Sequence, residues 1–213
     1  GTGSGKSSIV NLIPRFYEVS EGSIMIDGVD IRDVKQHDLR DKIGLVPQKG
    51  LLFSGTIRSN LTYGAPDATD EQLEEVIKVA QAKEFIDHKE EHLDSKISQG
   101  GTNVSGGQKQ RLAIARAIAK NPEIFIFDDS FSALDFKTDA MLRQELNKMI
   151  KKTKNTVLIV GQRIASIMSA DQIIVLDEGR IVGKGKHDEL MKDCKVYQEI
   201  AYSQLSKEEL GHE

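Results

Sequence analysis

The first eight residues of this 213-residue chain, Gly-Thr-Gly-Ser-Gly-Lys-Ser-Ser, form a phosphate-binding pattern that an apolar pair follows directly. Gly3 and Gly5 let the backbone turn tightly, so that successive N–H groups can point at one anion. Lys6 adds a positive charge, and Ser7 adds a hydroxyl suited to a phosphate-bound Mg²⁺. A helix that begins here would also favour phosphate through its N-terminal dipole. The predicted phosphate contacts are Gly1, Thr2, Gly3, Ser4, Gly5, Lys6, Ser7 and Ser8.

The full phosphate-loop motif has a further glycine one position before Gly1 and a buried strand before that. We therefore expect upstream sequence in the natural protein, and we expect N-terminal strands of the sheet to be missing from this chain. The alternative is a flexible Gly/Ser-rich start without a ligand. The order G-x-G-K-S-S in front of an apolar stretch favours the nucleoside triphosphate site.

Charge and cysteine content exclude several classes of protein. The net charge of −4 argues against a general nucleic-acid binder, which would usually carry a basic face. The single cysteine, Cys194, excludes an internal disulfide and fits a reducing compartment. The sequence contains no apolar run of the roughly 18 to 20 residues that cross a bilayer. If a membrane matters to this protein, another segment or another chain has to cross it.

Short apolar runs bounded by polar or turn residues predict the strands, and several of them alternate with helical patterns. Such alternation is typical of an α/β fold with a mostly parallel, buried sheet flanked by helices. Amphipathic patterns predict helices over residues 70–83, 108–120 and 138–152. The predicted strands are Ile24–Ile26, Ile43–Val46, Ile124–Phe127, Val157–Val160 and Ile173–Leu176.

The helical patterns also predict how the chain is organised. No convincing buried strand lies between about Gln48 and Asn121, so residues 49–121 are predicted to form a helical subdomain. The nucleotide-binding core would then comprise residues 1–48 and 122–205. The polar tail 206–213 is expected to fray.

A second candidate for anion binding is the turn Ser105-Gly106-Gly107-Gln108, which leads into an amphipathic helix. A helix start of this kind presents backbone N–H groups to an anion, independently of the first loop. A Ser-Gly-Gly sequence by itself would be an ordinary loop. This turn, however, precedes a predicted helix and then an apolar run that ends in two aspartates. That position favours a role in anion binding.

Asp128 and Asp129 end the apolar run Ile124–Phe127. A strand that ends in an acidic pair places a carboxylate beside bound phosphates, where it can hold Mg²⁺ or the water on it. The alternative is an ordinary core strand with a solvated acidic end. The two phosphate-binding motifs favour the metal-binding interpretation.

In this order and at this spacing, the motifs resemble those of the nucleotide-binding domain of ATP-binding cassette (ABC) transporters, and of the exporter type in particular. The resemblance covers essentially the whole chain. It implies the fold of a P-loop ABC ATPase with a helical signature subdomain. It rests on the phosphate loop 1–8, Gln48 within residues 45–64, the signature Val104–Gln108, the Asp128 strand, the loop Ser132-Ala133-Leu134-Asp135, and Gln162-Arg163.

This resemblance implies a mechanism in which two such domains pack head to tail around ATP and Mg²⁺. Each ATP would lie between the phosphate loop of one domain and the signature turn of a second ABC nucleotide-binding domain. Ser7 and Asp128 would contact the metal, and Gln48 would touch the metal or the attacking water and sense the transmembrane domain. Ser105, Gly106, Gly107 and Gln108 would complete the partner's ATP site, and Asp135 would cross the dimer interface.

Two residues of the hydrolytic machinery depart from the family pattern, and Gln99, where many members of the family have a glutamate, is a milder third departure. Asp129 stands where the family usually has a glutamate that polarises the attacking water. Its stem is one methylene shorter, so it falls short by about 1 Å, and a displacement of that size can cost about 100-fold in rate. Gln162 stands where the family usually has a histidine on the γ-phosphate. Glutamine can donate a hydrogen bond, but it cannot carry an imidazolium charge.

Together the two departures favour one half of a heterodimeric multidrug, lipid or peptide exporter. Its own phosphate-loop site would hydrolyse ATP slowly, and its intact signature would serve a partner that carries the usual glutamate and histidine. The transmembrane domain would be fused upstream, so that this domain lies at the cytoplasmic face of the cell membrane. The alternatives are a slow homodimer, an importer subunit, or an ABC protein of the DNA-repair type.

Overall fold

The computed structural model describes residues 3–204, which form two compact units. One unit contains residues 3–21 and 159–204, and the other contains residues 22–158. These bounds differ from those predicted for the core and the helical subdomain, which stay a prediction. The tail 206–213 and the first two residues lie outside the described part of the chain.

Helices and short strands follow one another along the described residues. In chain order, the helices are α1 (Lys6–Leu12), α2 (Gln36–Asp41), α3 (Ile57–Leu61), α4 (Asp70–Val79), α5 (Lys83–Asp87), α6 (Gly106–Ala119), α7 (Phe136–Thr153), α8 (His187–Asp193) and α9 (Lys195–Gln204). The strands are β1 (Met25–Ile26), β2 (Val29–Asp30), β3 (Ile43–Val46), β4 (Gly55–Thr56), β5 (Lys96–Ile97), β6 (Ile124–Asp128), β7 (Thr156–Val160), β8 (Ile173–Asp177) and β9 (Arg180–Gly185).

The unit of residues 22–158 is built on a parallel pair of strands. Its sheet has the order β3-β6-β7, and β3 pairs in parallel with β6 so that Val46 lies opposite Phe127. All five residues of β6 are buried, as expected for a continuous apolar run in the middle of a parallel sheet. Helix α6 packs against β3, α3 and α4. The predicted α/β architecture is confirmed.

Side chains define where several helices of this unit begin. At each of these starts, a side-chain oxygen of the residue before the helix accepts a hydrogen bond from a backbone N–H of the first turn. The N–H groups of the first turn have no partner within the helix, and this hydrogen bond satisfies one of them. The capped helices are α3, α4, α6 and α7, and the capping residues are Thr56, Thr69, Ser105 and Asp135.

The structure corrects three of the predicted elements. The strand predicted at Ile24–Ile26 is a two-residue arm of an antiparallel hairpin, β1-β2, whose Met25 is 54% exposed. Strand β8 forms as predicted, but it pairs antiparallel with the unpredicted β9. The helix predicted over residues 70–83 ends at Val79, because Gln81 has a left-handed backbone (φ 55°) before α5 begins.

In the other unit, an apolar cluster joins the β8-β9 hairpin to α8 and α9. It contains Ile173, Val175, Leu190 and Tyr197, and burial raises the pKa of Tyr197 to about 12. Cys194 belongs to the same cluster and is 5% exposed. A side chain at Gly183 would lie 2.7 Å from its Sγ, so β9 and α8 pack closely there. None of the helices in the described part of the chain is long and apolar enough to span a membrane.

Candidate nucleotide site

The phosphate loop has the backbone that its glycines predict. Gly3 (φ 84°) and Gly5 (φ 90°) both lie in the left-handed region, which residues with a Cβ seldom adopt. Helix α1 begins at Lys6, so Ser7 and Ser8 fall in its first turn as predicted. The predicted contacts Gly1 and Thr2 lie outside the described residues.

Polar groups converge within this loop. Lys6 Nζ donates a hydrogen bond to Ser4 Oγ at 3.0 Å, and Ser4 is 5% exposed. Gly5 occupies the cap position of α1. Within the described part of the loop, this helix start has no side-chain cap. A loop of this kind, with one ammonium group and glycine-shaped backbone, fits the phosphates of a nucleotide.

Gln162 lies in the same unit as the phosphate loop, between β7 and a short 3₁₀ turn at Ile164–Ser166. Its side chain is exposed. Gln204 holds this segment from α9, because its Nε2 donates to the Gln162 carbonyl at 2.7 Å and its Oε1 accepts from the Ile164 N–H at 2.8 Å. Sequence reasoning missed Gln204, which carries no motif.

The two acidic residues at the end of β6 differ in environment. Asp128 is 8% exposed, whereas Asp129 is partly exposed and has a left-handed backbone (φ 47°). Gln48 Nε2 donates a hydrogen bond to Asp129 Oδ2 at 3.1 Å across 81 residues of sequence. The structure thus brings together two of the predicted catalytic residues.

The loop that follows Asp129 is held on both sides. Ser130, fully buried, donates its hydroxyl to the Val46 carbonyl at the end of β3, at 2.7 Å. The ring centroids of Phe131 and Phe127 lie 5.2 Å apart. The guanidinium of Arg143, in α7, lies 4.1 Å from the centroid of the Phe131 ring. These contacts attach the loop to the sheet and to α7.

The signature turn is a capping box at the start of α6. The Gln108 N–H donates to Ser105 Oγ at 3.2 Å, and the Ser105 N–H donates to Gln108 Oε1 at 3.0 Å. A Cβ built on Gly106 would meet no atom within 4 Å, so the backbone there is open to an approaching group. Fourteen helical residues follow, which gives this start a full helix dipole.

Asp135 caps α7, and its carboxylate accepts a hydrogen bond from the Thr138 N–H at 2.9 Å. This backbone donor lowers the pKa of the Asp135 carboxyl below its ordinary value. The side chain is exposed. Its conformation is therefore fixed by the helix start, and not by burial.

The residues proposed for Mg²⁺ offer a hydroxyl (Ser7), a carboxylate (Asp128) and a carboxamide (Gln48). Oxygen donors such as these fit Mg²⁺, which is usually held by one or two protein ligands together with substrate phosphates and water. No group of three or more His, Cys, Asp or Glu side chains within residues 3–204 could hold a metal ion.

Comparisons with known proteins agree with these motifs. The model of the ABC transporter family matches residues 1–132. An ABC transporter ATP-binding protein of Mycobacterium tuberculosis is 46% identical over 99% of this chain and 36% of its own length. A putative multidrug export ATP-binding/permease protein of Bacillus subtilis is 44% identical over 93% of this chain and 34% of its own length.

A solved structure is similar as well. The structure of a bacterial Atm1-family ABC exporter with ATP bound superimposes with a TM-score of 0.91 at 37% identity, covering 95% of this chain and 35% of that one. The chain thus spans about a third of the length of the relatives it matches.

Proposed function

This chain belongs to the ABC transporter family as an ATP-binding domain of the ATPase type, and from that premise we propose that it is the motor of an exporter. It binds ATP and dimerises on it to drive a substrate across a membrane. The names of two relatives, a multidrug export ATP-binding/permease protein and an Atm1-family exporter, support the direction of transport.

In this proposal the phosphate loop holds the triphosphate. The amides of Gly3 and Gly5 and the Lys6 ammonium bind phosphate oxygens, and Ser7 and Asp128 hold Mg²⁺. Bound Mg²⁺ would neutralise charge on the phosphates. The left-handed glycines and the Lys6–Ser4 contact support these roles.

The signature turn of this chain serves a second ABC nucleotide-binding domain. Ser105, Gly106, Gly107 and Gln108 would complete the partner's ATP site in a head-to-tail dimer, with Asp135 at the interface. The capping box supports this role, because it orients the start of α6 before any ligand arrives and leaves the Gly106 backbone open.

The chain's own site hydrolyses ATP slowly, and the contact between Gln48 and Asp129 is the observation that carries this proposal. A carboxylate that polarises water must present an oxygen to that water, but Oδ2 of Asp129 is engaged by the Gln48 amide at 3.1 Å. The short stem of Asp129 already reduces its reach. Gln162 stands where the family usually has a histidine, so the site also lacks the imidazole that would contact the γ-phosphate.

A site with two altered residues beside an intact signature supports a heterodimer. The partner would carry glutamate and histidine at the positions of Asp129 and Gln162, and the faster chemistry would occur at the partner's phosphate loop. The rival is a homodimer with two equivalent slow sites. Turnover measured with and without the partner distinguishes the two, because only the heterodimer becomes fast when the partner is added.

An exposed aromatic patch supports a membrane domain as the other partner. Leu51, Phe53 and Tyr63 are 64%, 48% and 69% exposed, and the two rings stack at 4.6 Å. The Arg116 guanidinium lies 5.3 Å from the Phe53 centroid. Contiguous apolar groups of this kind mark interaction sites. We assign the patch, whose residues lie 3 to 15 positions after Gln48 in the sequence, to the permease part of the transporter. This places the domain at the cytoplasmic face of the membrane.

The test is ATP turnover by the full-length protein, measured alone and together with its partner. Alone, we expect a weak rate that Asp129→Glu increases about 10- to 100-fold, because the longer stem regains roughly 1 Å of reach. Gln162→His in the same background should raise the rate further. With the partner present, turnover should be fast before any substitution.

Asp129→Asn is the matched control, because it keeps the size of the side chain and removes the carboxylate; it should abolish the weak rate and leave ATP binding intact. Fast turnover by this chain alone would refute the heterodimer. An Asp129→Glu variant no faster than the wild type would refute the explanation of the slow site.

A further inference from the structure

Gln110 is a buried polar side chain in the middle of α6, and it is 1% exposed. The other buried residues of this helix are apolar. A buried carboxamide without a hydrogen bond is costly, whereas an apolar side chain of similar volume would pack there without that requirement. The buried amide of Gln110 therefore needs a hydrogen-bond partner.

Its partner is the segment that carries Gln48. Gln110 Nε2 donates a hydrogen bond to the Pro47 carbonyl at 3.1 Å. Pro47 follows the last residue of β3, and Gln48 follows Pro47. The carbonyl thus lies beyond the end of the strand, where Gln110 supplies a donor from the signature helix.

Two further contacts hold the same segment along α6. A Cβ placed on Gly50 would lie 2.8 Å from the Lys109 carbonyl oxygen, so the two backbones touch there and only glycine fits. Arg116 Nη2 donates to the Leu51 carbonyl at 2.8 Å. Residues 47–51 are therefore fixed to α6 at three successive points.

The opposite side of this segment reaches the acidic end of β6. The Gln48 amide binds Asp129 Oδ2, and Ser130 binds the Val46 carbonyl. A short path therefore runs from α6 through the Gln110 amide and the Pro47 carbonyl to Gln48 and Asp129. Gln110 lies two residues after Gln108, the last residue of the signature turn.

We propose that Gln110 is a positioning residue that holds Gln48 against Asp129 and so couples the chain's own hydrolytic pair to the signature helix. A shift of α6 when its start meets the partner's nucleotide would move Gln48 relative to Asp129. This inference rests on the proposed function of the signature turn and of the slow site.

The test is ATP turnover at this chain's own site in the full-length transporter, with the partner's hydrolytic glutamate replaced so that its site is silent. Gln110→Met keeps the volume and removes the donor. We expect it to raise kcat about tenfold, with the KM for ATP unchanged, because a released Gln48 no longer occupies Asp129 Oδ2. In a Gln48→Ala background the same substitution should have no further effect, because nothing remains to be positioned.

Two variants separate positioning from stability. Leu112→Met is a volume-conserving change on the same helix and should leave kcat unchanged. Gln110→Glu keeps the shape, and its neutral carboxyl, favoured by burial, can donate to the same carbonyl. The ratio of its kcat to that of the wild type should therefore approach one as the pH falls from 8 to 6. A purely structural defect would not produce this pH dependence.

The inference fails if Gln110→Met leaves kcat unchanged, if it is fully additive with Gln48→Ala, or if Gln48→Ala itself has no effect. If Gln110→Met does not fold, the pH profile of Gln110→Glu decides by itself. A wild-type protein that neither binds nor hydrolyses ATP would refute the proposed function instead.

Discussion

The starts of α1 and α6 are both candidates for holding phosphate, but they are built differently. At α1, glycines with left-handed backbones shape the loop, no side chain caps the described start, and the helix has seven residues. At α6, Ser105 and Gln108 cap each other, and the helix has 14 residues packed into its unit.

The difference indicates how each start gains its order. A start capped by its own side chains has its geometry fixed by intramolecular hydrogen bonds, so it is formed before any ligand arrives. A start shaped by glycines can turn its backbone towards a ligand and is stabilised when the ligand binds. The first arrangement suits a surface presented to a partner, and the second suits a nucleotide held by the chain itself.

The largest expected effect is on the α1 side of this comparison. Lys6→Ala should weaken ATP binding about 10- to 100-fold, because a charge-assisted hydrogen bond to a phosphate contributes roughly 1.5–3 kcal/mol. Titration of the chain with a fluorescent ATP analogue measures this. Lys152→Ala removes an exposed lysine at the end of α7 and is the charge-matched control. Equal affinity in both variants would contradict the assignment of the loop.

A smaller effect is expected at α6, and on a different quantity. Ser105→Ala should lower the free energy of unfolding by about 1 kcal/mol, because the capping oxygen is lost. It should leave the chain's own ATP affinity unchanged, since this start is assigned to the partner's nucleotide. Urea unfolding and the same ATP titration test both statements.

The exposed loop residue Ser20 provides the control for this experiment, as Ser20→Ala. A loss of ATP affinity in Ser105→Ala but not in Ser20→Ala would mean that the two helix starts are not independent.

The smallest effect concerns the start of α7, whose cap is charged. The pKa of Asp135 is lower in the folded chain than its ordinary value, so its ionised form stabilises the fold above the unfolded pKa of about 3.9. This contribution is lost as the pH falls through the lowered pKa. Asparagine caps about as well without charge. The wild type should therefore be slightly more stable than Asp135→Asn at pH 7, and in urea unfolding the difference should shrink as the pH falls below the unfolded pKa of about 3.9.

Local patterns were enough to predict the elements that are long and apolar. Strands β3 and β6 match the predicted runs closely, because a continuous apolar stretch in a parallel sheet has few alternatives. Strand β9 was missed, since Arg180–Gly185 alternates charged residues and glycines with two exposed apolar ones. The end of α4 was predicted too late in the sequence. Gln81 adopts a left-handed backbone there, and no glycine or proline marks this position in the sequence.

For the candidate site, the motifs identified the residues but not their contacts. The phosphate loop and the signature turn are local, so their geometry followed from sequence. The bond between Gln48 and Asp129 spans 81 residues, and Gln110 reaches Pro47 across 63. Pairings over such distances depend on how β3, β6 and α6 pack, which no local pattern encodes.

The burial of Cys194 has a practical consequence for spectroscopy. It is the single cysteine of the chain and is 5% exposed, closely packed against Gly183. Thiol-reactive probes need an accessible thiolate, so the unmodified chain should label poorly with maleimides under native conditions. A cysteine introduced at the exposed start of α6 could then carry a dye at that one position, so that its signal would report on this helix start alone.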